Sequence, residues 1–423
     1  PRDTDVVYIG GDLMSVGKGR DVKYTASMWR CRISAKDGRF QATARSIGAN
    51  VHSDVHALVH VPGSPNVLWA ACDGGVFVNR NPGRGGKFES RNDNLACLCT
   101  TFFAQHPRDP HILISGVQDN GAVRKSNGLT WNNVQWGDGG YCAINAANPK
   151  EVLILIHNVI LKATDGGLRL KSWEPKKILA TPTSIAPLVS TPYERMNGQS
   201  IEGPQSVAVG SQASKRKGQW FAHVLLSSNF GETWRPIASI PSSQGQGIYS
   251  MAFSSNNCLF VGTTTGEVFR LDRKGRSWLK TRLRGLGAIG MVSDIAVDWS
   301  DHHGRSIYIT LGGMGHYRHV WHFNGQRNRW TPRSGPKNGA SLLDVEHNAI
   351  IVDRKNPNDV YVAADIGVWR SCDRGSTWHP FSDGLPEVAV FDLQIHPEQP
   401  LLRAATYGRG LYEHKLQASE HSS

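Results

Sequence analysis

The chain is built from short hydrophobic runs separated by turns rich in Gly, Asp and Asn. Apolar and polar positions alternate within many of these runs, which is the two-residue period of a β-strand with one buried face. No segment sustains the 3.6-residue period of an amphipathic helix, so the pattern predicts an all-β fold. One kind of run recurs along the chain: His56–Pro62, Thr101–Pro107, Tyr141–Asn145, Ile248–Phe253, Val292–Val297, Asn348–Asp353 and Phe391–Pro397.

Each recurrence begins a unit of the same order. After the first strand, a, comes a strand b such as Val360–Ala364, a turn that ends in Gly, and a strand c such as Val368–Arg370. The next turn, Ser371–Trp378, reads Ser-Cys-Asp-Arg-Gly-Ser-Thr-Trp and leads into strand d. We expect the Asp side chain to accept backbone N–H bonds, the Gly to take a positive φ, and the Trp to pack between sheets. The turn returns as Ser227–Trp234 with Asn for Asp, as the shorter Asn127–Trp131 and as the degraded Arg273–Trp278.

The aromatic residue that ends each turn gives the length of the repeat. Most successive spacings fall near the 40–50 residues or so of a four-stranded propeller blade, and the long intervals Trp173–Trp234 and Trp278–Trp330 predict insertions. The aromatic positions predict a single β-propeller over residues 1–416 with eight blades, seven being the alternative, and a disordered tail at 417–423. The chain opens in a strand b and ends without a strand d, so the ring is expected to close where the termini meet. The eight aromatic residues are Phe40, Phe88, Trp131, Trp173, Trp234, Trp278, Trp330 and Trp378.

The composition limits the classes of molecule that the protein is expected to bind. The net charge of +12 and the pI near 9.4 favour anionic surfaces. The basic residues concentrate in Arg270–Arg284 and Lys215–Lys217, which predicts either a solvated outer rim or a contact with acidic polysaccharide, nucleic acid or anionic lipid. Few aromatic residues are interleaved with them, which counts against single-stranded nucleic acid. No apolar run approaches the ~20 residues of a membrane span.

The seven cysteines form no Cys-x-x-Cys pair and are expected to be small buried side chains rather than disulfides, and no cofactor is predicted. The start at Pro1, without an initiator Met or a signal peptide, suggests a processed or trimmed chain.

The loops that enter strand a and those that join b to c are expected at one face of the ring, opposite the Asp-containing turns. Carboxylates, imidazoles and an Arg collect there. Such groups suit a glycan site, since carboxylates and amides bind sugar hydroxyls and two carboxyls can act as acid and base. For any one Asp before Gly, a turn-forming role is the competing interpretation. The candidate catalytic residues are Asp54, Asp73, Asp119 and Asp138, and the candidate substrate-binding residues are His52, His56, Gln118, Asn120, Asp365, Tyr407 and Arg409.

Histidines raise the question of a metal. In an extended segment, His52, Asp54 and His56 would point to the same side, as metal ligands do. No fourth ligand is identified, so no metal is predicted and these residues are interpreted as hydrogen-bonded loop ends. The histidines at 302, 303, 316, 319 and 322 are expected at the surface.

These motifs resemble a known group, the Asp-box (BNR) propellers of the sortilin/Vps10-like and xyloglucanase-like kind, often described as predicted glycosyl hydrolases. The resemblance covers most of the chain. It implies a carbohydrate-active propeller and favours a secreted or cell-surface location. The segment Arg32–Ser34 lacks the Pro of the sialidase Arg-Ile-Pro motif, and no arginine triad is identified. The most specific matches are His52–His56, Asp73–Val76, Gln118–Gly121, Gly137–Gly140 and Ala405–Gly410.

Two functions follow as hypotheses. The first is a propeller that binds, and in the stronger form hydrolyses, a polysaccharide on its carboxylate-rich face. Xyloglucanase-type enzymes use two Asp residues in equivalent loops, and Asp12, Asp73 and Asp365 stand in comparable contexts, although no residue is matched to either role. The second hypothesis is a non-catalytic scaffold for a protein or anionic partner.

Overall fold

The computed structural model describes residues 5–16, 23–126, 128, 130–178, 186–192, 205–242, 247–288, 290–315 and 317–417. The chain divides into two compact units, Pro1–Cys97 and Leu98–Ser423. The extent of a single domain over 1–416 stays a prediction. The tail from 418 onward and the turn residues Asn127 and Leu129 lie outside the described residues.

The described residues of the first unit form two antiparallel sheets. A cluster that includes Met28, Leu68 and Phe88 forms its core. The three-stranded sheet consists of β1 (Val6–Val16), β2 (Lys23–Lys36) and β3 (Arg39–Ser46), and the four-stranded sheet of β4 (Val55–Val61), β5 (Ser64–Cys72), β6 (Gly75–Asn79) and β7 (Glu89–Ser90). The opening of the chain in a strand b stays a prediction.

In the second unit, the part of the chain that the structure describes forms seven antiparallel sheets. The first three are β8 (Thr100–Gln105), β9 (Leu113–Val117), β10 (Gly121–Lys125) and β11 (Trp131–Gln135); β12 (Gly139–Ile144), β13 (Val152–Ile156), β14 (Val159–Ala163) and β15 (Glu174–Lys176); and β16 (Leu188–Ser190), β17 (Val207–Gly210), β18 (Ser214–Arg216), β19 (Gln219–Ser227) and β20 (Arg235–Ser242). The next two are β21 (Ile248–Ser255), β22 (Cys258–Thr263), β23 (Val268–Lys274) and β24 (Ser277–Arg282); and β25 (Val292–Val297), β26 (Ile307–Leu311), β27 (Val320–Asn324) and β28 (Arg329–Pro332). The last two are β29 (His347–Val352), β30 (Val360–Ala364), β31 (Gly367–Ser371) and β32 (His379–Pro380); and β33 (Val390–Ile395), β34 (Leu401–Thr406) and β35 (Gly410–Lys415).

The sheets of the second unit form a closed ring. The first strand of each sheet contacts the first strand of the next, and β33 of the last sheet contacts β8 of the first. Apolar side chains between successive sheets make the core, as where Phe260 and Trp321 pack together. The fold is therefore an all-β propeller, as predicted. The count of eight blades is not confirmed, because the described residues hold nine sheets, seven of them in this unit.

The turn between strands c and d has the expected geometry. The Asp373 carboxylate accepts bonds from the backbone N–H of Thr377 at 2.8 Å and from its hydroxyl at 2.7 Å. Gly375 has a φ of +82°, which favours glycine, and Trp378 is buried. This turn follows β31, whereas Asp119 lies in the turn between β9 and β10. The two turn types therefore lie at opposite ends of their antiparallel strands, as predicted.

Two side-chain predictions are wrong. His319 and His322 were expected at the surface, but both are buried, since His319 pairs with Asp344 at 3.1 Å and His322 with Asp298 at 2.8 Å. His316 lies outside the described residues. Phe40, the first aromatic residue of the repeat, is 84% exposed rather than packed.

All seven cysteines are free thiols, four of them buried. The described residues contain no α-helix, only short 3-10 helices at Pro82–Arg84 and Leu170–Ser172, so none of them provides the long apolar helix that crossing a bilayer requires.

Candidate functional site

The predicted residues of the first unit lie around the turn that joins β5 to β6. His56 Nε2 is 2.5 Å from Asp73 Oδ1, which fixes both side chains. Asp54 has a φ of +60°, so the segment from His52 to His56 is not extended and its three side chains do not alternate along a strand. Within the described part of the chain, no three His, Cys, Asp or Glu side chains are arranged to hold a metal ion.

Asp54 also forms a carboxyl pair with Asp12 of β1. The hydrogen bond between the two side chains raises the pKa of Asp54, and burial adds to the rise. The same bond lowers the pKa of Asp12. Of the two carboxyls, Asp54 is therefore the one that holds a proton to higher pH.

The predicted residues of the second unit connect three loops. Asp138 lies just before β12, and its Oδ1 accepts the backbone N–H of Asp119 at 3.1 Å. Its Oδ2 is 3.1 Å from Nδ1 of His157, in the turn between β13 and β14. Asp119 has a φ of +60°, so the Asp138 carboxylate holds a turn that has an unusual backbone conformation.

Tyr407, in the turn after β34 of the last sheet, lies beside the turn that contains Asp119. Its hydroxyl donates to Oε1 of Gln118 at 2.6 Å, and its ring packs on Phe391 with centroids 5.3 Å apart. The N–H groups of Gly408 and Gly410 both donate to the carbonyl of Leu98. These bonds place the turn after β34 beside the first sheet of the ring.

The other three predicted residues of this unit contribute less directly. The amide of Asn120 donates to the carbonyl of Gln118 and so closes its own turn. The Arg409 guanidinium donates to the carbonyl of Gly408. Asp365 lies at the junction of the sixth and seventh sheets, where its Oδ1 accepts the amide of Asn348 at 3.0 Å.

Sequence reasoning missed two residues of this cluster, Trp136 and His157. Trp136, in the loop between β11 and β12, is 62% exposed and stands two positions before Asp138. A side chain at Gly121 would approach the Cα of Trp136 within 2.8 Å, so the glycine lets the two loops meet. The available signal was a second Trp only five residues after Trp131, which the repeat did not require. We call Gln118, Asp119, Trp136, Asp138, His157 and Tyr407 the loop surface.

A separate cavity of about 800 Å³ lies among the first strands of the seven sheets. None of the predicted site residues lines it. The cavity is therefore separate from the loop surface.

Comparisons with known proteins show the fold and no family. No protein-family model matches the chain, and a search among curated proteins finds no match. Among solved structures, the GH74 xyloglucanase from Xanthomonas campestris is similar with 17% identity and a TM-score of 0.53, over 78% of this chain and 53% of that one. The GH74 enzyme from Niastella koreensis is similar with 16% identity and a TM-score of 0.53, over 85% and 58%. YCF48 from Cyanidioschyzon merolae has 12% identity and a TM-score of 0.50, over 76% and 96%.

The chain thus spans a little over half the length of the two GH74 structures. At these identities the likeness shows the β-propeller fold alone. The xyloglucanase-like part of the resemblance agrees with the neighbours at that level, and the Asp-box and sortilin-like assignment stays a prediction.

Proposed function

We propose that the second unit binds a glycan on the loop surface. The observation that carries the proposal is the indole of Trp136, 62% exposed beside the hydrogen-bonded pair Asp119 and Asp138. An exposed indole gives a sugar ring a broad apolar face to pack against. Tyr407, 40% exposed, offers a second ring in the same cluster.

The neighbouring polar groups suit sugar hydroxyls. Gln118 and Asn120 present amides, and Asp119 and Asp138 present carboxylates, all on loops whose backbones are fixed by hydrogen bonds. Fixed donors and acceptors lose little entropy when they bind a ligand. The similarity of fold to xyloglucanases is consistent with a polysaccharide ligand.

The arrangement favours binding over hydrolysis. Both oxygens of Asp138 are already engaged, one by the N–H of Asp119 and the other by His157. Glycoside hydrolysis needs two carboxyls about 5–5.5 Å or about 6.5–9.5 Å apart across a bound sugar. Catalysis by Asp54, Asp73, Asp119 or Asp138 stays a prediction, to be tested by assaying product release from each glycan that binds.

The test is a binding screen on soluble polysaccharides, xyloglucan and mixed-linkage β-glucan first, followed by calorimetry. Trp136→Ala should weaken binding by about tenfold or more, equivalent to about 1.4 kcal/mol or more. Leu279→Ala is the matched control, since Leu279 is 55% exposed on β24, outside the loop surface. Equal affinity of the Trp136 variant and the parent would reject the site.

A second candidate function rests on a basic rim along the third and fourth sheets. The Arg235 guanidinium donates to the carbonyl of Arg276, and the Lys280 ammonium to the carbonyl of Ser239, so β20 and β24 carry their charges side by side. We define the basic rim by the exposed residues Lys215, Arg216, Lys217, Arg235, Arg273, Lys274, Arg276, Lys280 and Arg284.

Like charges held together in this way are stabilised by an anionic partner. An acidic polysaccharide is the partner that we propose for the rim. Retention on immobilised heparin that falls when Arg235 and Arg276 are changed to Gln would support this function. Retention unchanged in that double variant would exclude it.

A further inference from the structure

The inner strands of the second unit share a feature that the sequence pattern did not show. In six of them the pairing with the next strand shifts register at the same level, near the start of the strand. Such a β-bulge adds one unpaired residue and redirects its side chain. The residues at the shifts are Thr101, Gly140 with Tyr141, Tyr249, Ser293, Asn348 and Phe391.

Five of these bulge residues line one cavity. Tyr141, Tyr249, Ser293, Asn348 and Phe391 come from five different sheets and all border the space of about 800 Å³. Since the inner strands surround the centre of the ring, this cavity is its channel. Its volume falls within the range of about 300–1,000 Å³ that is typical of small-molecule sites.

Two carboxyls stand directly beside the bulges and line the same channel. Asp294 accepts the N–H groups of Ile295 at 2.7 Å and of Ile350 at 2.8 Å. Asp392 accepts the N–H of Phe103 at 3.3 Å and the Gln394 amide at 3.1 Å. These donors are neutral, and neither carboxyl takes part in an ion pair with the described Lys, Arg or His residues.

Aromatic rings complete the lining. Phe102 and Tyr141 stack with ring centroids 3.6 Å apart and an interplanar angle of 18°. Tyr141 and Tyr249 are close enough for the charge of Asp294 to act on both hydroxyls. Carboxylates together with aromatic faces attract organic cations, through charge and through the ring quadrupole.

The cationic side chains of the cavity do not reach these carboxyls. Arg354 and Lys355 follow the end of β29, at the opposite end of that strand from Asn348. Arg354 packs over the ring of Trp299 at 3.9 Å. Arg370 pairs with Asp359 at 3.1 Å. The bulged end of the channel is therefore the acidic end.

We propose that the bulged end of this channel binds a primary alkylammonium group, held between Asp294 and Asp392 and covered by the rings of Tyr141 and Tyr249. Such a group occurs at the end of a free diamine and at the end of a lysine side chain. The site is distinct from the loop surface, and it stands whether or not a glycan binds there.

The protonation of the two carboxyls agrees with the proposal. Burial raises the pKa of Asp294 to about 7 and that of Asp392 to about 6, and the charge of Asp392 adds to the rise at Asp294. The groups facing them are Tyr141 and Tyr249, and Tyr249 also faces Glu346. A bound cation would stabilise the ionised forms, so binding near neutral pH should release protons.

The experiment is calorimetric titration with 1,5-diaminopentane, with 1,5-pentanediol as the uncharged analogue of the same length. We expect saturable binding of the diamine near pH 8, about tenfold weaker or more near pH 5, where both carboxyls are protonated. The heat should change with the ionisation enthalpy of the buffer, because protons are released. Nα-acetyl-lysine amide distinguishes the source: tighter binding of the diamine indicates a free amine, and tighter binding of the lysine amide indicates a protein side chain.

Asp294→Asn and Asp392→Asn, each isosteric, should weaken diamine binding by about tenfold or more. Asp383→Asn is the matched control, since Asp383 is exposed and does not line the channel. A thermal melt of each variant establishes that it is folded. Absence of saturable diamine binding to the parent protein, equal binding of the pentanediol, or full affinity in both channel variants would overturn the proposal.

Discussion

The Asp392 carboxylate accepts the backbone N–H of Phe103 at 3.3 Å, although the two residues are 289 positions apart. This bond joins the last sheet of the second unit to the first. Gln105 adds a second bond to the carbonyl of Ile395 at 3.0 Å, and His396 a third to the carbonyl of His106 at 3.1 Å. The last sheet has three strands among the described residues, so polar side chains contribute directly to closing this ring.

Arg403 of β34 also bonds across this closure. It is 2% exposed and donates to the Gln105 side chain and to the carbonyl of Pro110, both at 2.6 Å, while it pairs with Glu413 at 2.7 Å. Arg403→Met should lower the free energy of unfolding by about 3 kcal/mol, because it removes three side-chain hydrogen bonds, one of them to a carboxylate. Denaturant unfolding measures the loss, and amide exchange should speed up in β33 and β8.

The control for that variant is Lys415→Met, which removes an exposed cation from the same sheet. It should change stability by about 0.5 kcal/mol or less. Arg403→Lys should recover little, since an ammonium cannot reproduce the fork of the guanidinium. Wild-type stability in Arg403→Met would mean that the ring closes without this side chain.

Asp294 predicts how stability depends on pH. Burial raises its pKa from the ordinary 3.8 to about 7, so the folded state holds the proton more tightly than the unfolded state. Its contribution is fully present below about pH 4 and is lost as the pH rises through about 7. Asp294→Asn should therefore be more stable than the parent near pH 8, by about 2 kcal/mol after screening through the open channel, and should match it near pH 4.

Unfolding curves of both proteins at several pH values test this sign. The control Asp383→Asn should follow the parent at every pH, since that carboxyl is exposed. The opposite result would be a loss of stability in Asp294→Asn, relative to the parent, as the pH rises from 4 to 8. It would show that the surroundings of Asp294 favour the ionised carboxylate.

Trp378 and Trp136 are expected to have different roles, the first in core packing and the second in ligand binding. Trp378 is 2% exposed, and its indole N–H donates to the carbonyl of Arg333 at 2.7 Å. Trp378→Ala should cost about 3–5 kcal/mol, the usual effect of emptying a large aromatic site. Trp136→Ala should change stability by about 0.5 kcal/mol or less. Equal losses in thermal and denaturant unfolding would place Trp136 in the core and remove it from the loop surface.

The strands and turns were predictable because their signals are local. The alternation in Ile248–Phe253 and the Asp, Gly and Trp of Ser371–Trp378 act within a few residues, and the structure forms a strand and a turn there. The positions of Asp119, Asp138 and Tyr407 in turns were predictable for the same reason, since each belongs to a repeated unit, while their part in a binding site stays a prediction.

The features that sequence reasoning missed depend on contacts between distant segments. A β-bulge adds one residue to a strand that still reads as alternating, so Tyr249 and Asn348 gave no sign that they face a channel. His319 and His322 are polar, and only their partners Asp344 and Asp298, on other strands and loops, make their burial favourable. The sequence shows these two aspartates but does not show that they lie next to the histidines.

Asp119 allows the turn-forming and ligand-binding interpretations to be separated at one position. Its φ of +60° favours glycine, so Asp119→Gly should keep the turn at no cost or with a small gain in stability, while Asp119→Ala should lose about 1 kcal/mol. The backbone N–H that donates to Asp138 remains in both variants. If the carboxylate contacts a glycan, both variants should bind it about tenfold more weakly, although their effects on stability differ. Calorimetry measures the affinity of the two variants for the glycan, and thermal melts measure their stability. Full affinity in Asp119→Gly would mean that Asp119 serves only to form the turn.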